Sequence, residues 1–246
     1  MIPSLAPCFE GSFAPWRDVL RIGDIEAETV PGARLLDPRV TEALIGRFAA
    51  ECRGGDRRAI VSMWTQWYFG ATIIPTTAAL LALDRVLPIA LADVAVAFGP
   101  HGRPEAVILP HDGAMRGQQG GADGLDELLD GHVAPLIGHL SASFDVSSRL
   151  LWTNAATMLE WTLGEVSAPV ATVIAGARRR LSERSDAAGR RHPMCGAVRY
   201  VQDDGESVRR RRLCCLRYLL PGVPSCAGLC PLPEVRLASE ESANAG

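Results

Sequence analysis

Residues 59–83 read AIVSMWTQWYFGATIIPTTAALLAL, 25 residues without a charged side chain. The stretch is long enough to cross a bilayer, so its reading decides the fold. Ser62, Thr65, Gln66, Thr72, Thr76 and Thr77 make it too polar for ordinary membrane insertion. It therefore predicts a buried helix of a globular chain, broken at Pro75, and no transmembrane segment.

The flanking sequence supports a helical body with a little sheet. Asp37 to Cys52 predicts an amphipathic helix with Val40, Leu44, Ile45, Phe48 and Ala49 on one face. Val94, Val96 and Phe98 alternate, Gly99-Pro100-His101-Gly102 turns, and Ala106 to Leu109 returns, which predicts a β-hairpin. A short strand is expected within Val19–Ile25, and a loop over Arg116–Gly124. Leu125 to Leu140 predicts a helix bent or divided at Pro135. Further helices are expected after Ser147, as a cap, and from Ser167-Pro169 to Leu181. Ser182 to His192 reads as a linker. The expected fold is α+β. Its body spans 1–190, mostly helical with a small hairpin-containing N-terminal part. A small C-terminal module spans 191–235, and 236–246 forms a disordered tail.

All 25 basic residues are arginine, which removes lysine Schiff-base chemistry and the phosphate-loop lysine. A net charge of −3 argues against a nucleic-acid binder. Met1 to Arg17 lacks the basic start and apolar run of a signal peptide, so the cytoplasm is the expected compartment. The five histidines complete no metal-ligand spacing, and no glycine-rich nucleotide motif is present.

The C-terminal module carries the chemistry. Cys214, Cys215, Cys226 and Cys230 are four of the seven cysteines and fall within seventeen positions. This spacing suits four thiolates around a compact metal centre, and an iron-sulfur cluster is the first reading. A zinc site, a disulfide framework and incidental thiols are the alternatives. Zinc fits Cys226/Cys230 loosely and the adjacent pair poorly, because neighbouring side chains on extended backbone diverge. A 2Fe-2S cluster would need residues 216–225 to fold back, which Pro221-Gly222 and Pro224 allow. Just upstream, Arg209 to Arg212 continue a segment that predicts a hairpin across Asp204-Gly205, with arginines alternating between two faces. The run reads either as a solvated face or as guanidinium groups that favour the reduced, more negative state of a cluster and attract an acidic donor or an anionic substrate. Cys8, Cys52 and Cys195 read as ordinary thiols, with Cys195 near enough to substitute as a ligand.

The segment RRRRLCCLRYLLPGVPSCAGLC, together with Met63–Phe69 leading into Ile74-Pro75 and with Ser147–Ala155, resembles the FhuF-type ferric-siderophore reductases. The resemblance spans about residues 55–233. It implies a C-terminal 2Fe-2S cluster on Cys214, Cys215, Cys226 and Cys230, and a ferric siderophore as substrate. Electrons would come from a donor such as a ferredoxin or a flavin reductase. Two positions depart from the family pattern: three residues rather than two separate Cys226 from Cys230, and Thr153 stands where glycine is common. Trp64, Tyr68 and Trp152 read either as ordinary core residues or as walls for a chelate. Arg199, Arg212 and Arg217 are candidate contacts for its anionic oxygens.

Overall fold

The computed structural model describes residues 1–23, 25–52, 55–118, 124–186, 188–203 and 205–235. The expected tail at 236–246, the middle of the expected 116–124 loop and Asp204 of the expected hairpin turn lie outside them.

Two 3-10 turns, Pro3–Cys8 and Gly11–Trp16, precede strands β1 (Leu20–Ile22) and β2 (Thr29–Pro31). Helices α1 (Pro38–Glu51) and α2 (Arg57–Leu83) follow. The chain then forms β3 (Arg85–Val86), β4 (Ala95–Phe98), β5 (Pro104–Leu109) and β6 (Ala114–Met115). A helical run holds α3 (Asp126–Leu128), a π-helical turn (Leu129–Val133) and α4 (Ala134–Phe144). Helices α5 (Ser148–Glu165) and α6 (Ala171–Ser182) lead to the hairpin β7 (Val198–Asp203) and β8 (Glu206–Arg211). The main sheet has the order β1-β5-β4-β2, parallel only between β1 and β5.

Local chemistry explains the boundaries. Asp37 accepts the Arg39 N–H at 2.9 Å and starts α1, with Pro38 in the first turn where a missing N–H costs nothing. Asp56 caps α2 through the N–H groups of Arg58 and Ala59. Ser147 occupies the N-cap position of α5 without a side-chain capping bond. Helix α6 starts at Ala171, after Pro169 rather than around it.

Helix α2 is the spine, buried nearly all round. It runs through Pro75 unbroken, which corrects the expected break. Proline removes one backbone donor, but α1, α5, β5 and the first 3-10 turn pack around the helix and hold its axis. Among the described residues no helix is long and apolar enough to cross a membrane. Pro135 does divide its helix. It has no N–H to offer the carbonyl of Gly131, and that carbonyl accepts the Leu91 N–H at 3.1 Å instead. The turn before it widens into the π-helical segment.

Trp64 and Tyr68 lie on α2 in the core, both at 0% exposure. The Trp64 indole donates to the Gly102 carbonyl at 2.8 Å in the β4–β5 turn and stacks on Phe98. Gly102 needs its missing side chain: at φ +70, an added Cβ would meet the Leu44 carbonyl at 2.2 Å. Tyr68 donates to His132 Nε2 at 2.8 Å, and His132 Nδ1 donates to the Ile89 carbonyl at 2.5 Å. These bonds fasten α2 to the β4–β5 turn and to the π-helical turn. Neither ring can wall a substrate pocket, because neither reaches a surface; of the two readings of Trp64 and Tyr68, the core one holds and the chelate wall is corrected.

Burial holds His132 neutral, with its pKa pulled down to about 4 from 6.5. The unfolded chain gains this proton near pH 6.5 and the folded chain only near 4. Stability is therefore fully present above that window and is lost as pH falls through it, by about 3 kcal/mol for this group. Denaturant midpoints should drop between pH 7 and 5, and His132→Gln should flatten that dependence.

Candidate metal centre and the groove beside it

The β7–β8 hairpin delivers the four-arginine run to the helical body. In register, Arg209 opposes Tyr200 and Arg211 opposes Val198. Arg209 pairs with Glu160 of α5, and Arg210 pairs with Asp203 of its own hairpin. Arg211 points inward and is 1% exposed. It donates to Asn154 Oδ1, to the Thr157 hydroxyl at 3.3 Å and to the Leu213 carbonyl at 3.3 Å. The alternation of faces is as expected. Arg209 and Arg210 have carboxylate partners, and Arg211 is the one set among the thiols.

Asn154 connects this guanidinium to α2. Its amide donates to the Ser62 carbonyl at 3.0 Å, the Ser62 hydroxyl at 3.1 Å and the Thr65 hydroxyl at 2.9 Å. The Ser62 hydroxyl in turn donates to the Cys215 carbonyl at 2.8 Å. One buried polar network thus runs from Arg211 through α5 and α2 to the cysteine loop. Asn154→Ala leaves a buried cation and several buried groups short of partners. It should cost about 3 kcal/mol in chemical denaturation.

The cysteine loop doubles back as its prolines allow. Cys215 and Cys230 are buried, and Cys214 and Cys226 are half-buried. The Cys215 and Cys226 sulfurs stand 3.7 Å apart. Two sulfurs on one tetrahedral metal, each at about 2.3 Å, lie roughly 3.8 Å apart, so this pair fits a shared metal. The residue after each of these cysteines is left-handed: Leu216 at φ +62 and Ala227 at φ +45. Such a conformation is costly without glycine; the Ala227 N–H donates to the Ser225 hydroxyl at 3.1 Å. The Leu216 N–H lies 3.3 Å from the Cys214 sulfur. The three residues between Cys226 and Cys230 form a 3-10 turn, Ala227–Leu229, that accommodates the longer spacing.

Electrostatics match the geometry. Hydrogen bonds from the Cys214 and Cys226 thiols hold the Cys215 thiol far below its usual pKa, and Arg211 helps. Sharing that thiolate, and then burial, push Cys214 and Cys226 up. The Cys230 charge acts on both of these. Burial pulls the Arg211 pKa down while three of the thiols push it up. Among the described residues no set of three or more His, Cys, Asp or Glu has closed to single-ion spacing. The donor chemistry, the close pair and the Leu216 N–H beside sulfur fit a thiolate-bound cluster. Cys195 instead donates to the Ser182 carbonyl at 3.3 Å.

Two adjoining hollows lie on this side of the molecule, one of them at Cys226. One, of about 350 Å³, is lined by Cys226, Leu229, Thr157, Trp161 and Arg217 among others. The next, of about 370 Å³, is lined by Trp16, Trp67, Met63 and Ile74 and again by Arg217. Of the six candidate substrate contacts, only Arg217 lines either. Trp152 is half-buried against the core, and Arg199 and Arg212 are exposed elsewhere on the hairpin and its exit. Sequence reasoning missed Trp16, Trp67 and Trp161. The uncharged run around Trp67 hides which face of α2 reaches solvent.

A family model described as "Ferric iron reductase FhuF-like transporter" matches residues 62–208. The chain belongs to this FhuF-like family. The match covers most of α2, all of α5 and most of the hairpin, and it ends before the four clustered cysteines. A ferric siderophore reductase of Escherichia coli (strain K12) is 27% identical over 188 residues, spanning 72% of this chain and 67% of that protein. Among solved structures, the aerobactin synthetase IucA from a hypervirulent pathotype of Klebsiella pneumoniae matches with a TM-score of 0.57 and 14% identity. That match covers 74% of this FhuF-like chain and 41% of the synthetase, and it concerns the fold alone.

Proposed function

We propose that this FhuF-like chain reduces siderophore-bound Fe(III) to Fe(II) and so frees the iron in the cytoplasm. The observation that carries the proposal is the close Cys215–Cys226 pair, set against a buried Arg211 and opening onto a groove. Cys214, Cys215, Cys226 and Cys230 of the 191–235 module would hold a 2Fe-2S cluster. Bound there, the cluster supplies a site that takes up and gives out one electron. The residues do the rest. Arg211 offsets thiolate charge, the Leu216 N–H supports sulfur, and the Ser62–Asn154 network fixes the loop against α2. One electron per iron suffices, and no bond within the siderophore need break. Hard oxygen ligands hold Fe(III) far more tightly than Fe(II), so reduction loosens the chelate. A one-electron donor such as a ferredoxin or a flavin reductase restores the reduced state.

Anaerobic purification with iron and sulfide analysis tests this, together with absorption and paramagnetic resonance spectra before and after dithionite. Two irons and two sulfides, a brown colour that bleaches on reduction, and dithionite-driven release of Fe(II) from a ferric siderophore are expected. A colourless protein carrying stoichiometric zinc would overturn the redox mechanism.

A further inference from the structure

We infer that the two hollows form one binding groove for a ferric chelate, with the metal-bearing end at Cys226 and Arg217 and an apolar body along Trp67 and Trp16. The chelate class is one with net negative charge at the metal and an apolar or aromatic appendage. This deepens the reductase reading and rests on it.

The two hollows share Gln66, Met158 and Arg217, so they adjoin. Their aromatic walls also meet: the Trp16 and Trp161 rings lie 5.4 Å apart. Both ends of the apolar half are held in place before any ligand arrives. The Trp16 indole donates to the Gly70 carbonyl at 2.8 Å. The Trp67 ring sits under the Arg103 guanidinium at 4.6 Å, and Arg103 is itself paired with Glu51. Trp67 is nevertheless 43% exposed, on a helix otherwise almost wholly buried. An indole kept rigid and open to solvent is an inexpensive contact surface for a flat apolar ligand.

The charge pattern sets the other end. Among the described residues no carboxylate lines either hollow, while Arg209, Arg211 and Arg217 do. Arg209 is paired with Glu160, and Arg211 is committed to Asn154 and the thiols. Arg217 makes no ion pair among the described residues; its Nε donates to Met63 Sδ at 3.3 Å. A guanidinium in that position can grip two anionic oxygens at once. Hollows of this size suit a small molecule rather than a protein partner.

The test titrates the full chain, as purified, with gallium(III) complexes, which carry the charge of the ferric ones without being reduced. Calorimetry would compare an anionic tricatecholate complex with a neutral trihydroxamate complex. The anionic complex should bind at least ten-fold tighter. Trp67→Ala and Arg217→Met should each weaken it ten-fold or more, Arg217→Lys should recover part, and Trp152→Ala should change nothing. Tighter binding of the neutral complex would overturn the chelate class. Unchanged affinity in both Trp67→Ala and Arg217→Met, with normal iron content and spectra, would overturn the groove while leaving the reductase reading intact. A wild-type protein without a cluster that still binds gallium chelate through Trp67 and Arg217 would keep the groove and remove the reductase reading.

Discussion

Cys226→Ser is expected to abolish the visible absorption, the paramagnetic signal of the reduced state and ferric-siderophore reduction together. The serine hydroxyl stays protonated and is a poor partner for iron, so the metal paired with Cys215 loses a ligand outright. Cys215→Ser should do the same, and it also removes the thiolate that Cys214 and Cys226 share. Cys195→Ser should keep all three properties, because that sulfur is already bonded to the Ser182 carbonyl. Iron and sulfide contents, measured anaerobically on each variant, decide the matter. Normal iron and activity in Cys226→Ser would remove Cys226 from the ligand set.

Arg211→Leu is expected to lower the reduction potential of the centre. A unit charge acting over several ångströms through an effective dielectric of ~20 is worth roughly 2 kcal/mol. Its loss corresponds to a fall on the order of 100 mV for a one-electron couple. The variant should also be less stable, since Asn154 Oδ1 and the Thr157 hydroxyl lose their donor. Arg211→Lys separates the two effects. It keeps the charge and should recover most of the potential, but it cannot reproduce the forked contacts and should recover less of the stability. Potentiometric titration alongside denaturant unfolding reads both. An unchanged potential in Arg211→Leu would show that the guanidinium is structural only.

Elements governed by local chemistry could be read from the chain. Helix α1 carries its own cap and an apolar face, and the β4–β5 and β7–β8 hairpins show alternation around turn residues. The cysteine spacing nominated a ligand set but not which sulfurs approach each other. That depends on left-handed Leu216 and Ala227, which neither glycine nor asparagine advertises. Alternation along β8 was legible; that Arg211 is buried was not, because Asn154 of α5 receives it from 57 residues away. Helix α2 misled twice. A helix enclosed nearly all round has no polar face, so its sequence does not separate buried Trp64 and Tyr68 from exposed Trp67. The same enclosure carries it straight through Pro75.

The Ser62 bond to the Cys215 carbonyl bears on kinetics. Helix α2 clasps the cysteine loop at Ser62 and, within the next turn and a half, presents Met63, Gln66 and Trp67 to the groove. In the proposed reaction, electron donor and acceptor are therefore mounted on one rod. Tunnelling falls steeply with distance, and a rod sets that distance without waiting for a hinge to close. The transfer step itself should then show little dependence on solvent viscosity, and turnover should be paced by the delivery of electrons and the departure of ferrous iron.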